Sequence, residues 1–149
     1  MTPTFVEDTV SPLPSSPESE MKRDMDLIRD ILIALEADQK LNGRLLHRGR
    51  AGEFFPKEGV SEDEIAHGLR LLMDRSFVLG SYDKASDTFD VERLSMDGHD
   101  FLDLIRDPDV WDKTKKAALA ARGFTLDLLY ALAKGIIKKA MEDLIGIPL

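Results

Sequence analysis

The 149-residue chain contains no cysteine, which excludes a disulfide scaffold, a thiolate zinc site and a cysteine nucleophile. Aromatic side chains are few: one tryptophan, two tyrosines and seven phenylalanines. No apolar run is long enough to span a bilayer, because the longest apolar stretch, Leu126 to Leu149, is interrupted by Lys134, Lys138, Lys139, Glu142 and Asp143. The first residues carry neither the basic cluster nor the apolar centre of a signal peptide. No Gly-rich phosphate loop, HExxH, GxSxG or dinucleotide fingerprint occurs. Excess positive charge is missing as well: 20 lysines and arginines face 28 acids, a net charge of −8. These absences lead us to expect a cytoplasmic, non-enzymatic protein without a cofactor or a metal.

What remains is 43% hydrophobic and 32% charged, a globular composition on a length that suits one domain with a tail. Residues 1–20 hold Pro3, Pro12, Pro14 and Pro17, the acids Glu7, Asp8, Glu18 and Glu20, and no lysine or arginine. Such a segment buries too little apolar area to offset the entropy of ordering it. We therefore expect a flexible acidic tail over 1–20 and a single domain over 21–149. A partner-binding peptide centred on Phe5, Val6 and Leu13 is the alternative role for the tail.

From Met21 the apolar residues Met25, Ile28, Leu32 and Leu35 recur at three- and four-residue steps, which predicts an amphipathic helix to about Ala37. Lys22 and Asp26 stand four apart and can pair along it. A short strand is expected at Leu45–His47. Ser61 followed by Glu64 forms a capping box ahead of Ile65, Leu69, Leu72 and Met73, so a helix starts there, with little room for another before it. Phe77-Val78-Leu79 and Phe89-Asp90-Val91 flank the polar run Asp83 to Asp87 and read as a hairpin, in which Gly80 either weakens the first strand or marks a bulge.

Ser95, Asp107-Pro108 and Thr125 then open three helices, each with an N-cap residue in place. The stripe of the last one includes Leu129, Leu132, Ala133, Ile136, Ile137, Ala140 and Leu144. It is wider than a narrow helix seam. Leu129, Leu132, Ile136, Ile137 and Leu144 are the candidate protein-interaction residues. They can be covered either by folding back on Met21–Ala37 or by a second copy in a homodimer.

The order helix, short strand, helix, hairpin, helices resembles a winged helix with helical additions. EIAHGLRLLMDRSFVL resembles the third helix and first wing strand of winged-helix regulators. Three segments, MKRDMDLIRDIL at 21–32, SEDEIAHGLRLL at 61–72 and RLSMDGHDFLDLIRDPDVWDKTK at 93–115, are similar to a family of bacteria and prophages, the domain of unknown function 2513. The resemblance covers residues 21 to about 147. It implies a mainly α (α+β) fold with a winged-helix-like core, a small hairpin wing and added C-terminal helices. It also implies a phage or mobile-element setting, and it brings no activity with it.

Charge argues against the DNA-binding use of such a fold. The start of the helix at Ser61 carries Glu58, Glu62, Asp63 and Glu64, and the wing carries Asp83, Asp87 and Asp90 against Lys84. Both surfaces repel phosphate. The counter-signals are Arg44, His47, Arg48, Arg50 and Lys57, and a second basic stretch of Lys113, Lys115, Lys116 and Arg122. A DNA-binding regulator would use Arg44, Arg48, Arg50 and Lys57. His99, within Asp97-Gly98-His99-Asp100, superficially offers a metal or hydrolytic cluster, but a helix start explains those acids. Trp111, beside Val110, reads as a packed core residue.

Overall fold

The computed structural model describes residues 17–149. The first helix, α1, spans Pro17–Ala37. It is four residues longer than the apolar stripe indicates, so the expected tail gives up residues 17–20. Proline at the first helical position has no N–H to lose, and Glu18 and Glu20 lie in the positive first turn. The rest of the expected tail, residues 1–16, and the peptide at Phe5, Val6 and Leu13 lie outside the described residues.

After α1 come strand β1 (His47–Gly49), the single-turn helix α2 (Ala51–Phe54) and helix α3 (Glu62–Asp74). Strand β2 (Val78–Asp83), strand β3 (Thr88–Leu94), and helices α4 (Met96–Ile105), α5 (Pro108–Ala120) and α6 (Leu126–Ile145) complete the order. The fold is mainly helical, with one antiparallel sheet in the order β1-β3-β2. β1 starts two residues later than the expected Leu45–His47. Its register sets His47 opposite Val91 and Arg48 opposite Asp90, and Leu45 and Leu46 stay exposed. The helix for which the sequence leaves little room before Ser61 is α2, which needs only four residues.

The capping devices are in place. Ser61 Oγ accepts from Glu64 N at 3.1 Å, and Glu64 Oε1 accepts from Ser61 N at 3.3 Å. Ser95, Asp107 and Thr125 each accept a backbone N–H from the first turn of α4, α5 and α6. The β2–β3 register shifts at Leu79/Gly80. Gly80 has φ +153, and a Cβ there would stand 2.0 Å from Asp90 O, so the bulge requires glycine.

The core sits between α1 and the sheet-bearing half of the chain. Met25, Ile28, Ile31, Leu32 and Leu35 of α1 meet Ile65, Leu69 and Leu72 of α3, and Phe101, Leu102 and Ile105 of α4. An aromatic trio ties the residue before β2 to α4 and α6: the Phe77 and Phe101 rings are 5.1 Å apart, and Tyr130 stands 5.7 and 5.5 Å from them. Trp111 is buried, and its indole N–H donates to Asp26 Oδ1 at 2.8 Å. Asp26 also accepts from Lys115 Nζ at 2.7 Å, so it serves α5 rather than Lys22. Arg29 closes the far end of α4, donating to the carbonyls of Ile105 and Arg106 at 2.9 and 2.7 Å. A helix C-terminus leaves such carbonyls without partners, and a cation suits its negative end.

Candidate interaction surfaces

The basic stretch folds against the hairpin and α1, whose carboxylates engage most of its charge. Arg48 makes a two-pronged contact with Asp90, Nε to Oδ1 at 3.1 Å and Nη2 to Oδ2 at 2.9 Å. This fork geometry is the strong form of a charged hydrogen bond, and it holds the Asp90 carboxyl below its ordinary value. Arg50 reaches Asp87 at 3.2 Å and Lys57 reaches Asp30 at 2.7 Å. Of Arg44, Arg48, Arg50 and Lys57, three are thus paired with carboxylates, and Arg44 is exposed without an acidic partner among the described residues. Three of the four cations in the second basic stretch are paired too: Lys113 with Asp109, Lys115 with Asp26 and Lys116 with Asp112.

The three histidines do not converge. His47 lies in β1, His67 is exposed on α3, and His99 Nδ1 stands 3.4 Å from Glu36 Oε2. Arg106 bonds the same Glu36 oxygen at 2.8 Å. That contact, with His99 adding to it, holds the Glu36 carboxyl below 4.5. His99 therefore belongs to a polar link between α1 and α4. Among the described residues no three histidine, aspartate or glutamate side chains could hold a metal ion.

Two surfaces bear on interaction. One is a groove between α1 and α3, a cavity of about 240 Å³ lined by Asp24, Leu27, Ile28, Asp63, Glu64, His67, Gly68, Leu71 and Phe124. It adjoins a second hollow that shares Leu71 and Phe124 and ends at Asp74, Arg75 and Asp127. Sequence reasoning picked out the acids of α3 but missed Leu71 and Phe124. The available signals were an extra leucine beside the row Ile65, Leu69 and Leu72, and an aromatic just before the Thr125 cap, where a hydrophobic staple sits.

The other surface is α6. Its first half is anchored: Leu126, Leu129 and Ala133 are buried, against α5 and α4 as the main neighbours. Folding back along α1 is therefore not how the stripe is covered. Leu129, one of the expected interaction residues, is fully buried in the chain's own core. Leu132, Ile136 and Ile137 are half-buried, and Leu144 is 85% exposed. No residue beyond Ala133 is buried. Met141, Ile145, Ile147 and Leu149 are each at least half exposed. The helix closes on Gly146 in the left-handed conformation, φ 77, a common helix stop. Among the described residues no helix is long and apolar enough to cross a membrane.

Comparison with known proteins places this geometry in a family. Residues 22–125 match the family described as hypothetical protein (DUF2513). An uncharacterized protein of Haemophilus influenzae (strain Rd) is 32% identical over 124 residues, which are 81% of this chain and 99% of that protein. No solved structure matches. The matched region begins inside α1 and ends at the cap of α6, so it takes in the sheet, the groove and the helices that pack on α1. The chain belongs to the DUF2513 family.

Proposed function

We propose that the protein is a non-enzymatic protein-interaction module of phage or mobile-element type, acting on a host or defence protein, with a winged-helix-like half from α1 to β3. The helix, strand, helix, helix, hairpin order supports the winged-helix description. The setting rests only on the resemblance drawn above. The outer half of α6 carries the interaction reading. Its apolar stripe runs on past Ala133, where the body of the protein ends its cover, to Leu144 and Ile145. Fully burying one such side chain is worth roughly 1.5–3 kcal/mol, and contiguous apolar surface of this kind marks contact sites. A second copy of the chain is the simplest cover.

Light scattering over a dilution series, combined with retention of host proteins on the immobilised chain, tests this. We expect a mass above the monomer at high concentration, lost in Leu144→Asp, whose parent side chain is too exposed to matter for folding. A monomer at every concentration that also retains no stoichiometric protein overturns the reading. Regulation through DNA is the competing function. It is weakened by the pairing of Arg48, Arg50 and Lys57 with Asp90, Asp87 and Asp30, because phosphate would have to displace those carboxylates. Retardation of duplex DNA at low salt that disappears in Arg48→Ala with Arg50→Ala would restore it.

A further inference from the structure

We propose that the groove between α1 and α3 is a docking site for a cationic amphipathic helix of a partner protein. The inference rests on the interaction reading but uses a different surface from α6. Its floor is apolar, made by Leu27, Ile28, Leu71 and Phe124. Its rim is acidic at both ends, with Asp24, Asp63 and Glu64 at one and Asp74 and Asp127 at the other.

Charge complementarity selects the occupant. Arg23 and Arg75, beside this rim, are already engaged, Arg23 with Glu64 at 2.9 Å and Arg75 with Asp127. Asp24, Asp63 and Asp74 have no cationic partner among the described residues. An apolar floor with surplus negative charge on its edges repels phosphate and polyanions. It attracts a segment that carries leucine-like residues on one face and lysine or arginine beside them. Length fits as well. From Asp63 to Asp74 the groove follows eleven helical steps, about 16 Å, or roughly three turns of a docked helix. His67 lies midway on the rim, where an added charge of either sign should be felt.

The probe is a fluorescein-labelled 14-residue helix of leucine and lysine at helical spacing, with two controls. One replaces its lysines with glutamate and the other its leucines with serine. Fluorescence anisotropy against the full chain should show saturable one-to-one binding of the Leu/Lys helix alone. Asp63→Lys should weaken it about tenfold or more, and His67→Glu should strengthen it about two- to fivefold, as expected for exposed charge pairs at an apolar contact. Asp143→Lys, on the outer half of α6, makes the same change of net charge and should leave affinity within about twofold. Equal weakening by Asp63→Lys and Asp143→Lys, or equal binding of the serine control, would overturn the proposal by reducing it to nonspecific attraction. Because Leu144→Asp tests α6 separately, a failed groove leaves the self-association result standing, and the reverse also holds.

Discussion

Gly98 and Gly135 lie in helices and should respond oppositely to the same substitution. At Gly98 a Cβ would stand 2.0 Å from Phe77 O and 2.9 Å from Phe77 C. Ordinary contact begins at 3.4 Å, so α4 must retreat from Phe77 by more than 1 Å. That retreat strains the bond from Ser95 N to Phe77 O, now 2.9 Å, and loosens the Phe77–Phe101 contact. Overpacking costs about 1–3 kcal/mol and a lost hydrogen bond about 0.5–1.5 kcal/mol. Together they outweigh the gain of up to about 1 kcal/mol from replacing a helical glycine with alanine. We expect Gly98→Ala to destabilise by about 2–3 kcal/mol. At Gly135 nothing among the described residues lies within 4 Å of the added carbon, so Gly135→Ala should stabilise by about 0.5–1 kcal/mol. Urea unfolding followed by Trp111 fluorescence and far-ultraviolet dichroism measures both. A Gly98→Ala chain as stable as the parent would refute the close approach of α4 to the Phe77 carbonyl.

Phe101→Ala removes one ring of the aromatic trio and should cost about 3–5 kcal/mol in the same urea assay; a loss below about 1 kcal/mol would mean the trio is not a joint between Phe77, α4 and α6. Glu36 is held below its ordinary 4.5, chiefly by its bond from Arg106. The unfolded chain therefore takes up that proton first as pH falls. The contribution is complete above about pH 5 and fades as pH drops through the folded value. Glu36→Gln should flatten the acid limb of stability against pH and lower stability near neutrality; an unchanged acid limb would contradict the assignment.

The elements announced by local chemistry were legible in the sequence. Ser61 with Glu64, Asp107 with Pro108, and Thr125 mark helix starts through bonds made within four residues, and the structure makes those bonds. Gly80 pointed to a weakened strand or a bulge, and the register shift at Leu79/Gly80 decides for the bulge. Long-range pairing was not legible. Asp26 could be assigned to Lys22 four residues away, because nothing local shows that Trp111 and Lys115 will arrive beside it. The start of β1 was misplaced because leucines at 45 and 46 suggest a strand, whereas the register is fixed by β3, whose Asp90 takes Arg48. The same limit hid the groove: Leu27 and Ile28, Leu71, and Phe124 come from three parts of the chain and become one floor only after folding. The stripe on α6 was visible, but where its burial stops depends on where α5 and α4 end beneath it.

Arg29 and Asp26 reach forward to Ile105 and Trp111, separations of 76 and 85 residues. During synthesis α1 therefore leaves the ribosome long before the elements that cover it. At about 5–20 residues per second, the wait for Trp111 lasts roughly 4–17 s. Throughout that interval Met25, Ile28, Ile31 and Leu32 have at most α3, the sheet and α4 to meet. A nascent chain stopped before α5 would keep part of that face wet, an invitation to chaperones and proteases. Stop codons placed between α4 and α5 should thus lower abundance in the cell far more than a shortening that removes only the last turn of α6.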